Sequence, residues 1–282
     1  DFISNLMKDA RSKDGSPHYL FYETTRGYNF RTLQNLYEEG DKGSYHNGDA
    51  APDQRDGSTL GIQEAFDRVV EIEVKGSNDS LMDSVGGMLG SKIVTHDLFQ
   101  KKYSEKTYEY FKDFDKHGRI DSFPKYNENV GEYKEARIFV HPTSSRDDGL
   151  DAQYVDENNI NDSVSANKIN ETLLQRKSRI YELEFGRTIA MSIHGTTNLA
   201  AGDMISLSYF PTGKNHSLGE KDSYISGRYI ITKLRHTFSP ATRNHLITMI
   251  ISKDSLPKQL EIISQVPQAK KDGAALLNEL NT

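Results

Sequence analysis

The stretch that most constrains this chain is a run of four short apolar alternations that follow a helical segment, with glycine-bearing turns between them. "RTIAMSIHG" puts Ile189, Met191 and Ile193 on one face of an extended strand, because successive side chains point to opposite faces. "GDMISLSYF" puts Ile205, Leu207 and Tyr209 on one face, with Ser206 and Ser208 on the other. In "SGRYIITKLRHTF", Ile230, Leu234 and Phe238 share a face with Thr232 and His236, and Tyr229, Ile231, Lys233 and Arg235 take the opposite one. "HLITMIIS" is apolar on both faces, and Gly195, Gly202 and Gly213 mark turns. Upstream, "SANKINETLLQRKSRIYELEF" carries Ile169, Leu173 and Leu174 inward at helical spacing, with Arg176, Lys177 and Arg179 near its C-terminal end, where cations favour the helix dipole. A helix followed by four closely spaced strands predicts an α+β, mainly β unit: a small barrel or sandwich with the helix packed on it.

The remaining chain is less regular. Phe2, Ile3, Leu6, Met7 and Ala10 share one helical face, and Pro17 stops that helix. "YLFYETTRGYNFRTL" reads as a hairpin turning at Arg26 and Gly27. Residues 38–58 read as a solvated loop, "FDRVVEIEVKG" as a helix end or strand, and "SNDSLMDSVGGMLG" as a short helix ended by its glycines. Two β-like runs in "SKIVTHDLFQKKYSEKTYEYFKDF" and a strand in "EARIFVHP" follow. The expected organisation is a helix–hairpin and mixed α/β region over 1–145, an acidic surface loop over 146–165, the barrel over 166–256 and a C-terminal tail over 257–282. The hairpin around 92–111 is a candidate to join the barrel strands.

Bulk properties narrow the function. At 282 residues the chain exceeds a single typical core. A mean hydropathy of -0.69 is low, but 15 Tyr and 12 Phe argue against wholesale disorder. A net charge of -6 disfavours sequence-independent binding to nucleic acid. With no cysteine there is no disulfide framework, thiolate metal site or cysteine nucleophile. No apolar run has the length of a membrane span, and "DFISNLMKDAR" lacks the pattern of a signal peptide.

Each chemical motif has a simpler structural reading. "GGMLGS" lacks the lysine of a phosphate loop, and the His residues show no metal-ligand spacing. Asp49, Asp53 and Asp56 miss the ligand order of a calcium loop. His194 and His236 could act as bases with Asp203 or Asp222, yet both sit where a strand ordinarily carries polar residues. Glu182 and Glu184, two apart, read as one polar strand face rather than an acid pair across a cleft. Asn78, Asn161, Asn170 and Asn215 begin N-x-S/T matches, which mean little without a secretory signal. No catalytic residue, cofactor or metal is expected, which leaves a component of an assembly.

Several segments, taken in order, resemble the central baseplate hub protein of long contractile-tailed bacteriophages. They are "DFISNLMKDA" with "PHYLFYETTRGYNFRTLQNLY", then "SKIVTHDLFQKKYSEKTYEYF", "LLQRKSRIYEL", "IHGTTNLAAGDMISLSYF" and "SGRYIITKLRHTFSP". The resemblance implies a virion protein at the tail baseplate, made in the host cytoplasm. It implies a homotrimer of tail-tube-like barrels joining the hexameric tube to a trimeric, sometimes lysozyme-bearing, central spike, with DNA passing only in transit. It implies further baseplate partners and no stable membrane association. That family begins with a first tube domain, and nothing before Asp1 supplies one, so this chain is expected to correspond to the later part of a hub. Two alternatives stay open: a spike-base module of a bacterial contractile secretion apparatus, and a tail-associated cell-wall hydrolase.

Overall fold

A computed structural model describes residues 2–10, 12, 16–47, 66–75, 80–98, 101–127, 136–143, 166–211, 221–241 and 243–260. The strands are β1 (Tyr19–Thr24), β2 (Gly27–Thr32), β3 (Ser44–His46), β4 (Val69–Val74), β5 (Gly90–Asp97), β6 (Lys102–Glu109), β7 (Arg137–Thr143), β8 (Thr188–His194), β9 (Met204–Ser208), β10 (Gly227–Ser239) and β11 (Asn244–Ser252). The helices are α1 (Phe2–Asp9), α2 (Leu33–Tyr37), α3 (Ser80–Val85), α4 (Tyr110–Asp113) and α5 (Ala166–Phe185). The fold is α+β and mainly β.

The four predicted strands form the centre of a six-stranded sheet in the order β3-β9-β10-β11-β8-β4. Its two outer strands meet at a single bridge, His46 with Arg68, so the sheet curls almost closed. Inside the curl the alternation buries Ile189, Met191, Ile193, Ile205, Leu207, Tyr229, Ile231, Ile247, Met249 and Ile251 against Tyr45 and Val69. Burying that many large side chains at about 1.5–3 kcal/mol each is the main force holding the curl together. Tyr45 lies in the stretch expected to be a solvated loop, where β3 instead pairs in parallel with β9. "VVEIEV" resolves as strand β4, antiparallel to β8.

One feature of β10 departs from strict alternation. Ile231 pairs with Ile251 and Lys233 with Ile250, so Thr232 is an extra residue, a bulge, whose hydroxyl donates to the Ile250 carbonyl at 3.0 Å. The bulge re-phases the strand. Tyr229 and Ile231 therefore face the same interior as Leu234, correcting the sequence reading that set them on opposite faces. Ile230 points the other way, into a second cluster with Leu33, Leu36, Tyr37, Ile120, Leu183 and Met204. The turn before β9 packs tightly here: Gly202, at φ +91°, donates to the Ile231 carbonyl, and a Cβ there would lie 2.3 Å from the Tyr22 hydroxyl.

The hairpin at 92–111 does not join the barrel. β5 and β6 pair with each other, and β5 pairs in parallel with β7, giving a separate three-stranded sheet β6-β5-β7. Its buried face carries Ile93 and packs with Met88, Leu89, Tyr108, Tyr110 and Phe114 around Leu174 of α5. The physical reason is local: eight continuous antiparallel pairs satisfy β5 and β6 on one side, and β7 takes the other edge of β5. α5 is the spine between the two layers. Leu173, Leu174 and Tyr181 pack on the small sheet, and Ile180 and Leu183 on the cluster behind the barrel. The predicted 1–145 and 166–256 units are thus interleaved, since β3 and β4 from the first complete the sheet of the second. Residues 146–165 and most of the tail lie outside the described residues.

Candidate functional site

Two features concentrate charge, one buried and one open. The buried one joins three stretches far apart in sequence: the turn 117–126, helix α5, and "SKDS" after β11. Arg119 donates to Glu182 at 2.7 Å and Arg179 to Asp254 at 2.8 Å, with all four side chains at most 4% exposed. Around them several further hydrogen bonds converge, although the buried Arg179 Nε has no hydrogen-bond partner among the described residues. The Tyr110 hydroxyl donates to Glu182 at 2.6 Å. Asp254 accepts from the Ile120 N–H at 3.2 Å and the Ser255 hydroxyl at 2.8 Å. Arg179 also reaches the Gly118 carbonyl at 2.8 Å, and Ser252 the Leu183 carbonyl at 2.6 Å.

The electrostatics follow from this packing. Burial pushes the Asp254 carboxyl up, but Arg179, Arg119 and the two hydrogen bonds outweigh it and hold the group below its ordinary range. Burial raises the Tyr110 hydroxyl well above its usual value, and the adjacent Glu182 adds to it. Lys253, whose ammonium donates to the Tyr224 carbonyl at 2.8 Å, is pulled down to about 8 by burial. A buried pair of this kind adds little net stability relative to an apolar one, yet removing one partner costs about 3–5 kcal/mol. The junction is therefore a device for holding one relative position of barrel, helix and small sheet.

The open feature is the pair of unpaired sheet edges. β9 pairs with β10 only as far as Ile230, so among the described residues the edge of β10 from Thr232 to Ser239 has no strand beside it. On the opposite side, β4 is the last strand of the sheet. The pairing register aligns Arg235, Thr248, Ser192 and Glu71 in one row across the outer face, and Lys233, Ile250, Ala190 and Glu73 in the next. Lys233, Arg235, Glu71 and Glu73 are all exposed. One open edge is basic and the other acidic, in matching rows.

The residues weighed for catalysis are held in other ways. Asp203 takes both guanidinium nitrogens of Arg26 at 3.1 Å and the Ala200 N–H at 2.8 Å. Asp222 accepts from the N–H groups of Tyr224 and Ile225. His194 lies edge-on to Phe66, and His236 contacts His245, so neither histidine is brought to a carboxylate proposed for it. Glu182 and Glu184 lie on α5, not on a strand: Glu182 is in the junction and Glu184 is exposed. Arg179 sits inside the helix and serves the junction rather than its C-terminal dipole. "GGMLGS" leads from α3 into β5 instead of opening a helix. Asp49, Asp53, Asp56, Asn78, Asn161 and Asn215 lie outside the described residues, and Asn170 falls in α5. Among the described residues no group of three or more His, Asp or Glu could hold a metal, and no helix is long and apolar enough to cross a membrane.

Sequence reasoning missed Arg119, Lys253 and Asp254. The available signals were the polar Ser178 and Glu182 on the buried face of α5, four and eight residues after Leu174, and the charged "SKDS" following an apolar strand.

No family model matches the chain. It is 23% identical over 267 residues to the "Probable baseplate hub protein gp334" of Vibrio phage KVP40, covering 90% of this chain. The chain spans little more than half, 57%, of that relative. A 43 kDa tail protein of prophage MuSo2 from Shewanella oneidensis matches 90% of this chain and 54% of its own at a TM-score of 0.40 and 10% identity. The relative bears out the resemblance read from the segments: the chain is similar to a baseplate hub protein over nearly its whole length.

Proposed function

We propose that this chain is a structural component of a phage tail baseplate, forming the trimeric hub ring between the hexameric tail tube and the central spike. The similarity to a baseplate hub protein supports the setting. The observation that carries the ring is the sorting of charge between the two open edges of one sheet. β10, β11, β8 and β4 alternate in direction, so β4 of one copy can lie antiparallel beside β10 of the next with both barrels upright. Glu71 and Glu73 then face Arg235 and Lys233, and the ladder runs on between copies. Such a contact is head-to-tail, and it closes into a three-membered ring where each copy is turned by a third of a revolution from the last. Unpaired edges invite pairing, and the charges on them select the partner.

The reading places the protein in the virion tail after synthesis in the host cytoplasm, with spike, tube and further baseplate proteins as partners. It assigns no catalytic step and no cofactor. A net charge of -6 suits a channel that DNA crosses without sticking. The test is the mass of the purified chain by light scattering, alone and with the spike protein encoded beside it. A trimer, or a three-to-three complex with the spike, is expected; a monomer indifferent to the spike overturns the reading.

A further inference from the structure

Beyond the last β9 partner, the β10–β11 hairpin carries a histidine pair that the hub reading does not use. Nδ1 of His236 lies 3.0 Å from Nε2 of His245, with the ring centroids 5.3 Å apart. The register makes them diagonal neighbours, since His245 is opposite Phe238 and His236 is opposite Ile247. Three independent features fix the rings. Phe238 stacks on His245 at 4.1 Å and 17°, and its ring lies nearly parallel to that of His236 with centroids 6.2 Å apart. The Gly195 N–H donates to the His245 carbonyl at 2.8 Å. Gly195 also leaves space that no other residue could: a Cβ there would stand 2.0 Å from Cγ and Nδ1 of the His245 ring.

We propose that His236 and His245 form a two-imidazole chelate for a divalent transition cation of the Cu²⁺ or Zn²⁺ class, with solvent completing the coordination. Imidazole nitrogen suits these ions, and both histidines are half-buried. Metal–nitrogen bonds of about 2.0 Å put two neighbouring ligand nitrogens about 2.8 Å apart in a square-planar site and about 3.3 Å apart in a tetrahedral one. The observed separation falls between them, so the spacing suits a chelate once the rings turn to bring both lone pairs onto one ion instead of onto each other. Both facing nitrogens must present lone pairs. A ring that donates across the contact must therefore take its other tautomer to bind. A bound ion would tie β10 to β11 where, among the described residues, β10 has no neighbour on its other edge, stiffening that part of the hairpin.

The experiment is a titration of the full chain with CuCl2 and, separately, ZnCl2, followed by calorimetry, with electron paramagnetic resonance of the Cu²⁺ form. His236→Gln and His245→Gln should each weaken binding roughly ten-fold or more, since loss of an outer-shell partner alone costs 10–100-fold. His194→Gln, on the neighbouring strand β8, should leave it unchanged. The Cu²⁺ spectrum should show two equatorial nitrogens, reduced to one in either Gln variant whose circular dichroism matches the parent. Binding that survives both substitutions, a one-nitrogen spectrum in the parent, or no saturable binding above that of the double variant overturns the proposal.

Discussion

The buried junction and the open edges use the same ion-pair chemistry to opposite ends. Arg119–Glu182 and Arg179–Asp254 are removed from water, and each partner left alone would be a stranded charge. Lys233, Arg235, Glu71 and Glu73 are exposed, with Glu73 in a surface ion pair with Lys75 at 3.4 Å, and such charges cost the fold almost nothing. Burial turns charge into a constraint on how one chain's parts sit together. In the proposed ring, exposure leaves it available for choosing a neighbour. Mutations should therefore separate cleanly, with stability effects at the junction and association effects at the edges.

The largest effect is expected at the junction. Arg179→Ala strands Asp254 and should destabilise by about 3–5 kcal/mol, a fall of roughly 10 °C in thermal unfolding for a chain of this size. The double variant Arg179→Met with Asp254→Leu should recover most of that loss, which distinguishes a stranded charge from lost packing. Tyr110→Phe removes one donor to Glu182 and should cost about 1–3 kcal/mol by urea unfolding.

A pH effect should accompany these. His18 is buried beside Ser16, and burial first, then Arg179, lowers it from 6.5 to about 2. Between those values the unfolded chain holds a proton that the folded chain does not. Stability from this group is therefore complete above pH 6.5 and declines below it, by up to about 1.4 kcal/mol per pH unit. Urea midpoints from pH 7 to 4 should fall less steeply in His18→Gln than in the parent. The smallest stability change is expected at the edges: Arg235→Glu or Glu71→Arg should stay within about 0.5 kcal/mol.

The strands were legible because alternation in "TIAMSIH" and "MISLS" survives into the structure unchanged. In "RYIITKLRHTF" it fails at Thr232, where one inserted residue reverses the phase, and a bulge leaves no mark in composition. Arg119 and Glu182 are 63 residues apart and Arg179 and Asp254 are 75 apart, so no local spacing links them. The hairpin at 92–111 was read correctly as two strands, but which sheet a hairpin joins is set by tertiary pairing. The charged edges were visible as residues; their alignment in rows required the register of four strands.

The most direct measurement is the solution mass of four proteins by light scattering at low salt: the parent, Arg235→Glu, Glu71→Arg, and the chain carrying both changes. The account predicts a parent near three times the 31.9 kDa of one chain, single variants shifted to monomer, and a trimer regained in the double variant, whose charges again match. A parent that stays monomeric, or single variants that assemble as the parent does, would contradict it.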